Sequence, residues 1–168
     1  MIRKFKKLYY FLYCSLFYKK DKFKRLQEEI FKRNNLDRSL AKKNLEAVIQ
    51  KNNFPVSEMV SEHEVIFSSL SLDKNITVDR ILEIGTYDGS NALLLSKLFP
   101  NAQILTIDLP SEDDEFNKTY KRNNSDFQNA FIKSRNEKLS EVKNIQFIEM
   151  NSINLFNEKK SFDLIWID

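Results

Sequence analysis

The chain has 168 residues, 27 Lys and Arg, 24 Asp and Glu, and a net charge of +3. This length suits one domain with an added segment, and so weak a net charge does not favour a nucleic-acid-binding protein. A single cysteine, Cys14, and a single histidine, His63, exclude an internal disulfide and a structural zinc site, and a reducing compartment such as the cytoplasm is expected.

Basic residues flank an aromatic run near the start of the chain, from Leu8 to Tyr18. The run is shorter than the roughly 20 residues that span a bilayer, and Tyr and Phe favour the membrane interface. We therefore predict a helix over residues 1–20 that lies on an anionic membrane surface or docks on a partner protein. The equal alternative is a helix that packs on the protein's own body.

The next segment, residues 21–53, predicts a helical hairpin. Its first helix has apolar residues on one face: Phe23, Leu26, Ile30 and Phe31. Asn34-Asn35 interrupts this helix, and Asp37 can cap a second helix that ends at Asn52-Asn53. Residues 1–54 are thus expected to form a helical N-terminal extension.

A third helix is predicted to start near Ser61, because Ser61 and Glu64 have the spacing of a capping box. His63 would lie in its first turn. A partly exposed helix residue is the stronger expectation for His63, and a catalytic role is a spare candidate.

Both glycines of the protein, Gly85 and Gly89, lie in one short stretch. The apolar segment Ile81–Ile84 precedes them and predicts a buried strand, and the segment 91–98 that follows predicts a helix. Glycine is needed where the backbone takes a positive φ or where a ligand comes close. The order strand, glycine turn, helix is typical of nucleotide-binding units in open α/β sheets.

Three further apolar segments predict strands, and they are Ala102–Ile107, Asn144–Met150 and Phe162–Asp168. Between the first two, the segment 111–139 predicts one long helix or two helices with a break near Asn123-Asn124. Alternating strands and helices indicate an α/β domain over residues 55–168, with a parallel sheet covered on both faces. Asp108 ends the second strand about 20 residues after Gly89, at the interval expected for a carboxylate that binds ribose hydroxyls.

The segment Leu82–Ser90 resembles motif I of class I S-adenosylmethionine-dependent methyltransferases, acidic-x-Gly-x-x-x-Gly. Three later segments resemble further motifs of that family in the same order: Thr106–Asp108, Glu149–Ser152 and Phe162–Asp168. The resemblance implies a Rossmann-like parallel sheet of which the first four strands, about half of the family fold, are present. It also implies S-adenosylmethionine as cofactor and methyl transfer to a small-molecule or other acceptor.

The same resemblance implies a set of cofactor-binding residues: Glu83, Gly85, Thr86, Tyr87, Asp88, Gly89, Ser90, Asp108, Asn151 and Ser152. Glu83 and Gly85 would lie by the methionine portion, the segment 86–90 would wrap around it, and Asp108 would hold the ribose. Asn151 and Ser152 would face the adenine. Asp168 would lie at the mouth of the site, where relatives have a substrate, base or metal position, so it is the candidate catalytic and metal-binding residue.

In that family, further strands follow the fourth one, and none follows Asp168 in this sequence. We therefore expect a fragment of an enzyme or a truncated gene product. The fourth strand would then form an unpaired apolar edge, which predicts aggregation unless another segment covers it.

Two other functions fit parts of the pattern. A nicotinamide-dependent oxidoreductase shares an acidic residue after the second strand but requires Gly-x-Gly-x-x-Gly, and Thr86 and Tyr87 occupy that region instead. A non-catalytic protein with a vestigial Rossmann-like domain would act through its N-terminal membrane- or partner-binding helix.

Overall fold

The computed structural model describes residues 20–54, 61–113, 125–157 and 161–168. The helix predicted over residues 1–20 lies outside this range except for its last residue, and so does the predicted break near Asn123-Asn124. Within the described ranges, no helix is both long enough and apolar enough to cross a membrane.

Within the described residues, three helices precede the sheet: α1 (Lys20–Arg33), α2 (Arg38–Lys51) and α3 (Glu62–Leu72). Both helices of the predicted hairpin therefore form. Asp37 caps α2 as predicted, since its Oδ1 accepts a hydrogen bond of 2.9 Å from the N–H of Leu40. Of the four apolar residues predicted on one face of α1, only Phe31 is buried, because it enters a core shared with α2 and the sheet.

The start of α3 agrees with the sequence in position but not in its capping. Ser61 is the residue before the helix, as predicted. Its hydroxyl lies 2.6 Å from Nδ1 of His63 and makes no cap to the helix N–H groups, so the expected capping box is wrong. The partly exposed ring of His63 stacks against Trp166 with 4.6 Å between ring centroids. This packing fits the structural expectation for His63.

In the part of the chain that the structure describes, four strands form one parallel sheet: β1 (Arg80–Ile84), β2 (Gln103–Asp108), β3 (Ile145–Glu149) and β4 (Leu164–Ile167). Their spatial order is β3-β2-β1-β4. Helix α4 (Ser90–Leu98) connects β1 to β2, helix α5 (Ser125–Ser140) lies before β3, and a short 3₁₀ helix (Ser152–Asn157) follows β3. The predicted parallel α/β architecture is confirmed.

The two faces of the sheet are covered unequally. One face carries Ile81 and Ile104 and packs against the helices, with residues of all of α1, α2, α3 and α4 in the same core. The other face carries Leu82 and Leu105 and packs against Leu155 of the 3₁₀ helix and other partly buried residues. Among the described residues, this second face is covered at β1 and β2, where Leu82 and Leu105 are buried, and it is open at β4. The expected cover on both faces is therefore complete on one face only within that part of the chain.

The fourth strand is the exposed part of that second face. Ile165 and Ile167 are 54% and 67% exposed. In the described part of the chain β4 pairs with β1 alone, so its outer edge is open there, as predicted. The division of the chain at residue 54 remains a prediction, although Ala41 and Leu45 of α2 share one core with the sheet.

Candidate functional site

The turn between β1 and α4 has an unusual backbone. Three residues have positive φ: Gly85 at +99°, Tyr87 at +48° and Gly89 at +79°. The N–H of Gly85 donates to the carbonyl of Ile107 at 2.8 Å, which continues the pairing of β1 with β2. A Cβ on Gly85 would lie 3.3 Å from the carbonyl oxygen of Asp168. Glycine therefore allows the ends of β1 and β4 to approach each other.

Gly89 is the second position where glycine is required. Its backbone is left-handed, and a Cβ there would lie 2.9 Å from Cδ2 of Leu139 on α5. We expect Gly89→Ala to lower the stability by about 2 kcal/mol, since both the positive φ and the contact with Leu139 oppose a side chain. Thermal unfolding would measure a melting temperature lower by roughly 5 °C.

Gly89→Asn is the matched comparison, because asparagine tolerates a left-handed backbone but still carries a Cβ. The loss of stability in Gly89→Asn should lie between zero and the loss in Gly89→Ala. Equal melting temperatures for Gly89→Ala and the unchanged chain would contradict the assigned geometry.

Glu83 lies beneath the turn and is fully buried. Oε1 accepts a hydrogen bond of 2.7 Å from Nδ2 of Asn91, and Oε2 accepts a short one from the hydroxyl of Thr106. The hydroxyls of Thr106 and Thr86 are 2.6 Å apart, so a chain of hydroxyls leads from Glu83 to the turn. Burial raises the pKa of Glu83 to about 7, while the two hydrogen bonds oppose this shift.

This raised pKa predicts a pH-dependent stability. The folded chain retains a proton that the unfolded chain, with an ordinary pKa of 4.5, releases between pH 4.5 and about 7. Since the folded state binds more protons in that window, the contribution of Glu83 to stability decreases as the pH rises through it. Glu83→Gln does not titrate, so its stability relative to the unchanged chain should increase by about 3 kcal/mol between pH 4.5 and pH 8.

Urea unfolding of both proteins at pH 5, 6, 7 and 8 measures the difference. The difference in free energy of unfolding between Glu83→Gln and the unchanged chain should increase as the pH rises. Glu137→Gln, at an exposed position of α5, should give a curve parallel to that of the unchanged chain. A difference in stability between Glu83→Gln and the unchanged chain that stays constant with pH would contradict the raised pKa of Glu83.

Asp108 ends β2 next to the turn and is 7% exposed. Its two oxygens accept hydrogen bonds from the N–H of Tyr87 at 2.8 Å and of Leu109 at 2.9 Å. Burial raises the pKa of Asp108, and these two N–H groups oppose the shift. Asp108 thus joins β2 to the turn of β1. Tyr87, which donates this bond, has a positive φ, a feature that sequence reasoning missed.

Asp88 and Ser90 form the start of α4. Asp88 accepts hydrogen bonds from the N–H of Ser90 at 3.0 Å and from its hydroxyl at 2.7 Å. Lys138 of α5 donates to the carbonyl of Asp88 at 3.0 Å. Burial alone would raise the pKa of Asp88, but the bonds from Ser90 and the charge of Lys138 hold it below its usual value. Lys138 has no sequence signal, since it lies on a helix rich in charged residues.

Asn151 and Ser152 lie at the start of the 3₁₀ helix and are exposed. The side-chain oxygen of Asn151 accepts a hydrogen bond of 3.0 Å from the N–H of Ile153. The N–H of Met150 donates to the carbonyl of Asp108 at 2.8 Å. The two polar residues therefore follow the strand that is paired with β2, at the same edge of the sheet as the turn.

A cavity of about 390 Å³ opens at this edge of the sheet. Six of the predicted site residues line it: Gly85, Thr86, Tyr87, Asp88, Ser90 and Asp168. The other predicted residues lie outside its lining: Glu83 beneath the turn, Gly89 within it, and Asp108, Asn151 and Ser152 at the ends of the neighbouring strands. The N–H of Asp168 donates to the carbonyl of Ile84 at 3.0 Å, which fixes Asp168 at the wall. No cluster of metal-ligating side chains occurs among the described residues, so metal binding by Asp168 remains a prediction.

Sequence reasoning missed the residues that close the cavity from other elements: Ile49, Phe54, Glu64, Asn91, Leu93, Leu94 and Lys138. They come from α2, α3, α4, α5 and the residues after α2. In the sequence, these residues fit the apolar and polar patterns of ordinary helices, so none of them indicates a site. Only the packing of the helices on the sheet brings them to the turn.

A buried ion pair supports the neighbouring strand end. Arg135 of α5, whose side chain is fully buried, donates from Nη2 to Oε1 of Glu149 at 2.6 Å. The hydroxyl of Ser111 donates to the same oxygen at 2.6 Å. The guanidinium lies 4.3 Å from the ring centroid of Phe147. This cluster joins α5, β3 and the segment after Asp108, and no sequence pattern predicts it.

No family model matches the chain, and no curated protein matches its sequence. Solved structures that the chain is similar to include methyltransferases. A methyltransferase of Podospora anserina, determined with SAH bound, is 21% identical with a TM-score of 0.44, over 89% of this chain and 58% of that one.

Two bacterial structures are similar to the same degree. One, described as a caffeoyl-CoA O-methyltransferase of Staphylococcus aureus, is 18% identical with a TM-score of 0.43, over 84% of this chain and 58% of that one. The other, described as an O-methyltransferase of Klebsiella pneumoniae, is 19% identical with a TM-score of 0.44, over 86% of this chain and 59% of that one. The chain thus spans less than two thirds of the length of each of these proteins.

Proposed function

We propose that this chain binds S-adenosylmethionine at the turn between β1 and α4 and belongs to an enzyme that transfers the methyl group to a small-molecule acceptor. Three motif positions meet at one edge of the sheet, and this convergence carries the proposal. The N–H of Tyr87 is bonded to Asp108, and Gly85 lies against Asp168. The carboxyl edge of adjacent parallel strands is where open α/β sheets bind their ligands.

The cavity has the size and charge that such a ligand requires. Its volume of about 390 Å³ lies within the range of about 300–1,000 Å³ that is usual for small-molecule sites. Three carboxylates line it, from Glu64, Asp88 and Asp168, against one ammonium group, from Lys138. This excess of negative charge favours a ligand with cationic groups, and S-adenosylmethionine carries a sulfonium and an ammonium group.

Asp108 retains the capacity to bind a ribose. Each of its oxygens accepts one backbone N–H, and a carboxylate oxygen can accept a second hydrogen bond. Asn151 and Ser152 would lie along the adenine on the exposed side of the same edge. Glu83 would act from beneath as a positioning residue, because both of its oxygens are already bonded within the protein.

S-adenosylmethionine, when bound, supplies an electrophilic methyl group on its sulfonium. The residues of this chain would contribute mainly by positioning, which can provide a large part of the barrier reduction. Gly85 lies in the cavity wall, where its backbone would border the ligand. Asp168, at the cavity wall, is the candidate to accept a proton from a hydroxyl acceptor.

A nicotinamide cofactor fits this turn less well. In the Gly-x-Gly-x-x-Gly pattern, the second glycine allows the pyrophosphate to approach the backbone. The corresponding position, two residues after Gly85, is Tyr87, whose side chain lines the cavity and contacts the ring of Phe131. The bulk of Tyr87 opposes such an approach.

Isothermal titration calorimetry of the 168-residue chain tests the proposed function. We expect saturable heat with S-adenosylmethionine and with S-adenosylhomocysteine, which shares all but the methyl group, and no heat with NAD. Binding of NAD alone, or of none of the three, would overturn the proposal.

A further inference from the structure

The charge of the chain is divided between two parts. Residues 1–33 carry 11 Lys and Arg and 3 Asp and Glu, which gives +8, and no acidic residue occurs before Asp21. The remaining residues carry 16 Lys and Arg and 21 Asp and Glu, which gives −5. The weak net charge of +3 therefore conceals a strongly basic beginning attached to an acidic body.

Helix α1 also exposes an apolar row. Leu26 and Ile30 are 49% and 47% exposed, and Phe23 is exposed to a similar degree. Residues three, four and seven positions apart lie on one face of a helix. Leu26 and Ile30 therefore form, with Phe23, a continuous row along α1, which we term the α1 row. Arg25, Lys32 and Arg33 are exposed on the same helix.

The rest of α1 is held against the body, which fixes the direction of the α1 row. Phe31 is buried in the core. The guanidinium of Arg38 donates to Glu28 at 2.8 Å and to Gln27 at 3.3 Å, and it also bonds Glu62 of α3. These contacts attach α1 to α2 and α3 through the side that carries Phe31. The α1 row lies outside them.

We propose that α1 docks on an anionic lipid membrane, with the α1 row inserted at the interface. The combination of a positive charge of 8 with exposed Leu, Ile and Phe side chains fits a surface that is both negatively charged and apolar below its headgroups. The opposite charge of the body disfavours contact of the rest of the protein with the same surface. This inference goes beyond the proposed function and does not depend on it.

Co-sedimentation of the full chain with lipid vesicles tests this docking. The vesicles contain phosphatidylcholine alone, or phosphatidylcholine with phosphatidylserine at about one lipid in three. We expect binding to the anionic vesicles at least about tenfold stronger than to the neutral ones, and weaker binding as salt is added. Equal binding to both vesicles, or binding to neither, would overturn the proposal.

A double variant tests the α1 row itself. Leu26→Gln with Ile30→Gln keeps good helix-forming residues at exposed positions, and it should reduce binding to anionic vesicles at least about fivefold. Leu40→Gln is the matched control, since Leu40 is 52% exposed on α2 and is not part of the row, and it should bind like the unchanged chain.

Two further results would count against the proposal. If the double variant binds vesicles like the unchanged chain, the α1 row does not insert. If the unchanged chain is a dimer by light scattering and the double variant is a monomer, the row is a contact between copies. Unchanged thermal unfolding of the double variant is expected, because both side chains are half exposed.

Discussion

Asp108→Ala is expected to weaken binding of S-adenosylmethionine at least about 100-fold in calorimetry, if the proposed function is correct. The substitution would remove the two charge-assisted hydrogen bonds that we propose to hold the ribose, each of which contributes about 1.5–3 kcal/mol. It also removes the acceptor for the N–H of Tyr87, which joins the turn to β2. Both effects act in the same direction on the affinity.

The chain contains a matched control for this experiment at the opposite edge of the sheet. Asp163 also accepts two backbone N–H groups, from Asp79 and Arg80, each at 2.9 Å. Because Asp163 precedes β4, it lies at the amino edge, away from the cavity. Asp163→Ala should lose about as much stability as Asp108→Ala but retain the affinity for S-adenosylmethionine. Equal loss of affinity in both variants would indicate a general effect of unfolding and contradict the role of Asp108.

Glu149→Ala is expected to lower the free energy of unfolding by about 3–5 kcal/mol, because it leaves the buried guanidinium of Arg135 without its carboxylate. Nη1 of Arg135 has no hydrogen-bond partner within the described structure. Nε donates to the neutral amide oxygen of Asn136 at 3.2 Å, which does not replace the lost carboxylate charge. Such a loss is a large part of the total stability of a typical domain, about 5–15 kcal/mol. The midpoint of urea unfolding measures it.

Two variants show whether burial causes this effect. Glu137→Ala breaks the pair with Lys133, in which both side chains are exposed and 3.8 Å apart, and it should change the stability by less than about 1 kcal/mol. Adding Arg135→Met to Glu149→Ala removes the uncompensated charge and should restore most of the loss. A urea midpoint for Glu149→Ala equal to that of the unchanged chain would exclude a buried ion pair.

The sequence predicts the centre of this fold well because local signals are strong there. Continuous apolar runs are typical of parallel strands that are covered by helices, and all four strands form within a residue or two of the predicted bounds. The two glycines locate the turn, since each position has a positive φ and little space for a Cβ. Asp108 follows from its interval after Gly89.

The remaining features of the fold and the site depend on contacts between residues that are far apart in the sequence, which no local sequence pattern predicts. Ile49 lies near the end of α2 and Phe54 shortly after it, and neither has a sequence pattern that indicates a site. The packing of α2 places both of them at the cavity. Ser61 has the residue type and spacing of a cap, but its hydroxyl is hydrogen-bonded to the neighbouring ring of His63 instead. Arg135 lies in a polar helix, and only β3 explains its burial.

The most direct test of the proposed site uses the fact that the chain has two glycines. Protein labelled with ¹⁵N-glycine has two amide signals in its NMR spectrum, from Gly85 and Gly89, and both belong to the turn. We predict that both signals shift during titration with S-adenosylmethionine and that neither shifts with NAD. If both signals stay unchanged at saturating S-adenosylmethionine, the turn is not the binding site, and the proposed function is wrong.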